Sequence, residues 1–273
     1  MKVVFIHGGP GLNGNPEREL LVAPYGSAGL ELLAWDEPSS LRPEGAPFQA
    51  ERAWPAWLES ALAFVEQHAQ AGPVTLMTHS FGAWVGWEIA RERPQLVERV
   101  VYVAPALSTA QDHKNTLSHA RDAFGAAGDE ARSAQMSGIL DAYSGSFDDN
   151  TRAGWLLALE CAGIFDAYWC DKERMAAYLA HYAGAYGLDV PSFLGVSAGR
   201  PAEPAPGTSE VPASVIWGAQ ERIVDRALSA AHLRARHASL SEHTLQDAAH
   251  YPHIERADEV LRICLGSADM QRQ

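Results

Sequence analysis

The stretch Val74-Thr75-Leu76-Met77-Thr78-His79-Ser80-Phe81-Gly82 decides how the rest of the chain is read. Val74 to Thr78 is a short apolar run rich in β-branched residues, and a helical pattern opens at Phe81 and runs on until Pro94 stops it. A serine at that junction sits on a strand-to-helix elbow. The strained turn lifts the hydroxyl above the sheet and leaves the next backbone N–H facing a substrate. The elbow pattern is Gly-x-Ser-x-Gly, and Thr78 stands where its first glycine belongs, although a β-branched side chain fits a close approach less easily. Ser80 also reads as a plain helix N-cap, so the other reacting groups have to be found elsewhere in the chain.

Acyl transfer needs a base oriented by an acid and preorganised N–H donors for the developing oxyanion. The expected base is His250, in Ala248-Ala249-His250-Tyr251-Pro252, on a loop between the last strand and the C-terminal helix. His253, inside the start of that helix, is its rival, and His79 is expected to point away from the serine. The chain order serine, acid, histidine places the acid after the strand Ser214 to Trp217, where Glu221 leads and Asp225 is the alternative. The oxyanion donors are expected from the N–H of Phe81 and of Gly9, the latter in His7-Gly8-Gly9-Pro10-Gly11 directly after the first strand.

Further apolar runs at Val3 to Ile6, Leu30 to Trp35, Val97 to Ala104, Ser214 to Trp217 and His243 to Leu245 alternate mostly with helix-length segments. The expected fold is α/β, a mostly parallel sheet of about six strands covered by helices on both faces. Core helices are expected at Trp54 to Ala71, Phe81 to Arg93, Leu228 to His237 and Pro252 to Leu265. Between Ala106 and Pro212 the strand signal vanishes, and helices are expected at Thr109 to Ala126, Glu130 to Tyr143, Asn150 to Ala167 and Asp171 to Ala185. Residues 1–105 and 212–273 thus read as one core domain, and 106–211 as an inserted helical lid that returns through the Pro-rich Gly199 to Gly207.

The chain has 273 residues, 21 basic and 34 acidic side chains and a formal charge of −13. A monomer of this length buries roughly 70% of its unfolded surface, enough for a core without staples. Its charge repels phosphate backbones and anionic lipid, so neither nucleic acid nor a membrane is an expected partner. The three cysteines, Cys161, Cys170 and Cys264, lack metal or redox spacing and read as buried thiols in a reducing cytoplasm. The apolar start Val3 to Ile6 is too short for a signal-peptide core, and Glu160 and Asp166 interrupt the most apolar later stretch.

Taken together, HGGPG at 7–11, THSFG at 78–82, WGAQERIV at 217–224 and AAHYPHIE at 248–255 resemble the α/β-hydrolase family over nearly the whole chain. The first of these motifs is similar to the signature loop of proline iminopeptidases. The resemblance implies a serine hydrolase with Ser80 as nucleophile, His250 as base, Glu221 as acid and Gly9 and Phe81 as oxyanion donors, acting on a small-molecule ester, lactone or amide without cofactor or metal. An iminopeptidase-type aminopeptidase is the alternative it implies. The chain departs from that branch in His79, Phe81 and Glu221, and the lid acids Asp148, Glu160 and Asp166 are its candidates for gripping an amine. Set against the family, the two strands that precede the glycine loop are absent. Leu30 to Trp35 then becomes a sheet edge, expected to be shielded by Ala23 to Gly29 or paired in a homodimer.

Two other readings compete. Gly9-Pro10-Gly11-Leu12-Asn13-Gly14 is literally G-x-G-x-x-G, and Asp36 ends the following strand, as in a dinucleotide-binding oxidoreductase. Against it, Asn15-Pro16 starts any helix late, and Pro24 and Gly26 are expected to cut that helix short. The remaining alternative is a non-catalytic ligand-binding protein on a hydrolase scaffold.

Overall fold

The computed structural model describes residues 1–38, 50–185 and 187–269. The six apolar runs become six strands, β1 (Lys2–Ile6), β2 (Glu31–Ala34), β3 (Val74–His79), β4 (Val97–Val103), β5 (Ala213–Gly218) and β6 (Leu240–Leu245). All adjacent pairs are parallel, in the order β2-β1-β3-β4-β5-β6. From β1 the chain leaves to one side for β2 and returns to the other side for β3. That reversal opens a crevice at the carboxyl ends of β1 and β3, where open α/β sheets bind ligands. The glycine loop after β1 and the elbow after β3 both end there.

Strand residues alternate between two cores because side chains on a strand point to opposite faces. Val4, Ile6, Leu76, Tyr102 and Trp217 face one layer, packed by α2 (Ala53–His68), α3 (Ala83–Glu92) and α9 (Arg226–Arg234). Val3, Phe5, Met77, Val101 and Ile216 face the other, packed by α1 (Asn15–Ser27) and α11 (Ala257–Asp269). Between β4 and β5 the described residues form the helical elements α4 (Thr109–Ala126), α5 (Glu130–Asp141), α6 (Asp149–Leu159), a 3-10 segment (Ala162–Ala167), α7 (Lys172–Ala185) and α8 (Val190–Gly199), followed by an isolated bridge from Ser209 to His237. Leu117, Met136 and Leu157 give this insertion a small core of its own. No described helix is long and apolar enough to cross a membrane.

Several expectations are corrected. α1 begins at Asn15, where the sequence places its start, but Pro24 lies inside it without ending it, because Leu21 and Tyr25 bury the helix face against the sheet. Tertiary packing outweighs the hydrogen bond that proline removes. The helix α8 was not expected. Asp189 caps it by accepting the Ser192 N–H at 3.2 Å, with proline in its first turn. The C-terminal helix is two helices, α10 (Pro252–Glu255) and α11, separated at Arg256, and the second runs past Gly266. Asn150 to Ala167 is likewise broken, between α6 and the 3-10 segment. β2 is the edge of the sheet, as the strand order expected from the resemblance requires.

Thr78 is accommodated at the elbow through α3. It is fully buried, and opposite it stands Gly86, where an added Cβ would lie 3.0 Å from Thr78 Cγ2 and 2.9 Å from Tyr102 Cε1. The space that the elbow's missing glycine would have supplied is supplied instead by a glycine on the packing helix. Gly86→Ala should therefore destabilise the protein by about 1–3 kcal/mol through overpacking, more than the roughly 1 kcal/mol of helix propensity it gains. Adding Thr78→Ser, which deletes the facing methyl, should recover part of the loss in a double-mutant cycle read by urea unfolding. Strict additivity would show that the two residues do not share this space.

Candidate active site

Ser80 has φ 51°, a left-handed backbone rare for residues other than glycine. This raises its hydroxyl off the end of β3, where it meets the loop after β6. Ser80 Oγ lies 2.9 Å from His250 Nε2, and His250 Nδ1 lies 2.9 Å from Glu221 Oε2. An ionised carboxylate only accepts, so Nδ1 carries the imidazole proton and Nε2 accepts the serine hydroxyl. Glu221 is buried, which alone would raise its pKa. The His250 imidazole and the N–H groups of Ile223 and Val224, at 2.8 and 3.1 Å, reverse that and hold it below the usual carboxylate value. It remains an anion beside the imidazole.

The alternatives considered for these places lie elsewhere. Asp225 caps α9, accepting the Leu228 N–H at 2.9 Å. His253 is fully buried and contacts Glu17 at 3.4 Å. His79 has its Nε2 2.8 Å from the carbonyl oxygen of His250.

A cavity of about 200 Å³ opens over Ser80, with Gly9, Phe81 and His250 in its wall. Trp155, Phe165, Tyr168 and Phe193 from the helical insertion make most of the remaining lining apolar. Trp169 is instead packed away, stacked on Tyr251 at 4.2 Å. Three exposed or peripheral acids of the insertion do not reach the cavity. Asp148 caps α6 through the Thr151 N–H, Glu160 pairs with Arg132 at 3.1 Å, and Asp166 pairs with Lys172.

Among the buried acids that the sequence does not mark, Asp112 and Glu37 bear on the site. Asp112, in the first turn of α4, lines the cavity. Its Oδ1 accepts the Asp225 N–H and the Ser108 hydroxyl, both at 2.9 Å, while Oδ2 has no partner among the described residues. Burial pushes its pKa up to about 6 against those two donors. The adjacent His113 is driven by burial down to about 3 and is uncharged at neutral pH. Glu37, in the segment after β2, gathers the Gly11 N–H and Trp57 Nε1–H, both at 2.7 Å, and the Ser192 hydroxyl at 2.9 Å. It thereby ties the glycine loop to α2 and α8, and burial raises its pKa to about 8. An acid in a first helical turn, or one following a strand, carries no local mark of such a role. Only the tertiary partners reveal it.

The dinucleotide reading loses its donors and its order. Gly14 N–H is spent on Asp36 at 2.8 Å, which also pairs with Arg18 at 2.9 Å, and Gly11 N–H is spent on Glu37. The strand order differs from the 3-2-1-4-5-6 of the dinucleotide fold. Cys161 and Cys264 are buried free thiols, and Cys170 is half-buried and free. No cluster of metal-ligating side chains occurs among the described residues.

The fold is shared with solved structures. A proline iminopeptidase-related protein from Thermus thermophilus aligns with a TM-score of 0.67 at 22% identity, over 97% of this chain and 89% of that one. An epoxide hydrolase from Bacillus megaterium aligns at 0.58 and 20% identity, over 95% and 90%. An esterase from Thermogutta terrifontis aligns at 0.58 and 16%, over 100% and 89%. No curated protein matches the sequence significantly. Residues 3–263 match the model of the alpha/beta hydrolase family, and the chain belongs to that family.

Proposed function

We propose that the protein is a serine hydrolase that cleaves an ester, lactone or amide of a small, largely apolar acyl group through an acyl-enzyme. The observation that carries this reading is the continuous chain from Ser80 Oγ through His250 to Glu221, with 2.9 Å at each contact, opening onto the cavity. Ser80 Oγ bonds to the substrate carbonyl carbon as its proton passes to His250 Nε2, and the carbonyl electron pair moves onto oxygen. The N–H groups of Gly9 and Phe81 hold that oxyanion. Collapse breaks the scissile bond, and His250 protonates the leaving alcohol or amine. Water, deprotonated by the same imidazole, then releases the acid and restores Ser80. Glu221 keeps the imidazole in the required tautomer and stabilises its charged form throughout.

The lining supports an apolar acyl group. An apolar cavity of about 150 Å³ is enough to hold benzene, and the one above Ser80 is larger. Phe165 and Leu159, both in its wall, are also exposed at 42% and 36%, giving an apolar approach to the cavity. One observation favours a second reading, cleavage of substrates with a free amine. Asp112 lines the same cavity as Ser80, its Oδ2 is buried without a partner among the described residues, and the neighbouring His113 adds no positive charge at neutral pH.

A fluorophosphonate probe should label the wild type at Ser80 and leave Ser80→Ala unlabelled, read by mass spectrometry of the modified peptide. An unlabelled wild type would remove the serine mechanism in favour of the non-catalytic reading. Ser80→Ala should abolish turnover, and Glu221→Gln should lower kcat by several orders of magnitude while Asp225→Asn leaves it within about threefold. The reverse pattern would reassign the acid.

The two substrate readings separate on a panel of acyl esters against aminoacyl arylamides. Asp112 is charged above its pKa of about 6 and neutral below it. A preference for amine-bearing substrates, taken as a ratio of kcat/KM values, should therefore fall as pH drops through that value and vanish in Asp112→Asn. A ratio flat with pH and unchanged in the variant would leave the apolar acyl reading alone.

A further inference from the structure

His79, the residue that precedes the nucleophile, has no part in the proton path just described, yet it is built into the site. Its side chain is 2% exposed, and its ring centroid lies 4.9 Å from that of His250, 4.6 Å from Tyr251 and 4.5 Å from His253. On its other side is the glycine loop. A Cβ at Gly8 would stand 2.9 Å from His79 Nδ1, so this ring is a wedge between the loop after β1 and the loop after β6.

We propose that His79 is a positioning residue for the base: its Nε2–H, donated to the main-chain carbonyl of His250 at 2.8 Å, sets where the imidazole stands above Ser80. The role rests on the serine-hydrolase reading. A carbonyl oxygen only accepts, so the contact requires the proton on Nε2. Burial drives the pKa of His79 well below its usual value, and the neighbouring His253 and His250 add to that, so the ring carries a single proton. Nδ1 has no partner among the described residues, which leaves Nε2 as the protonated atom.

His250 is pinned at both ends of its own peptide units. Its N–H donates to the Tyr168 carbonyl at 3.0 Å, and its C=O receives His79. Between these two anchors its side chain spans Ser80 and Glu221. The loop needs holding, since Asp247, three residues before His250, is at φ 54°. His79 is covalently next to Ser80, so this hydrogen bond registers the base against the backbone of the nucleophile itself. Removing the donor leaves a buried carbonyl unsatisfied, and the loop shifts to relieve it. A displacement of about 1 Å at a reacting group lowers rates by about 100-fold.

The test compares side chains by where they place an N–H. Gln reaches the position of Nε2, Asn reaches only that of Nδ1, and Met fills the volume without a donor. On a hydrolysed p-nitrophenyl ester, His79→Gln should keep kcat within about fivefold of wild type. His79→Asn and His79→Met should lose about 10- to 100-fold in kcat with KM within twofold. Full kcat in the Met or Asn variant, or an equal loss in all three, overturns the proposal.

Should the weaker variants fail to fold, nitrogen-15 NMR of the wild type with labelled histidine decides it. A neutral His79 protonated on Nε2 supports the role, and protonation on Nδ1 or on both nitrogens removes it. Fluorophosphonate labelling keeps the two claims apart. A wild type that resists the probe removes the serine reading together with this role. A labelled wild type, with His79→Met labelled equally fast, removes only the role of His79.

Discussion

The backbone at Ser80 is the constraint on which the site depends. A serine at φ 51° lies in the left-handed region, a conformation of order 1–3 kcal/mol above its relaxed alternatives. It persists because both sides of the turn are fixed. β3 is buried along its whole length, and α3 is locked against the sheet by Trp84, Trp87 and Ile89. Among the described residues, Ala104 and Asp247 are the other two non-glycine residues with positive φ, and they follow β4 and β6. Strain is thus gathered along the carboxyl ends of the strands, where the chain must turn sharply to present side chains to the cavity rather than continue into the next helix.

The parallel sheet was legible in the sequence because most of its strands are apolar on both faces and punctuated by Gly and Pro, as at Gly72-Pro73 and Pro94. The Ser80, His250 and Glu221 constellation was legible for a related reason: in a parallel sheet, segments following different strands end on one rim, so chain order alone predicts convergence. Asp112, Glu37 and the anchoring of His79 were not legible. Each works through partners distant in the chain. Glu37 meets Ser192, 155 residues away, and His79 meets His250, 171 residues away. The persistence of α1 through Pro24 was hidden likewise, since only the packing of Tyr25 on the sheet explains it.

Thr78 illustrates how a departure from a pattern is absorbed. Read locally, a β-branched residue at the elbow argues against the motif. In the fold, Gly86 on the facing helix yields the volume, so the departure is a relocation of the glycine and not its loss. A sequence pattern written in consecutive residues has no way to represent an exchange between positions on a strand and on the helix that covers it.

The Tyr168 carbonyl that receives the His250 N–H belongs to the helical insertion, just past its 3-10 segment. The helical segment and the loop that carries His250 are therefore moored to each other. A displacement of the covering helices at that point would carry with it the loop after β6, and with that loop the imidazole that lies 2.9 Å from Ser80 Oγ.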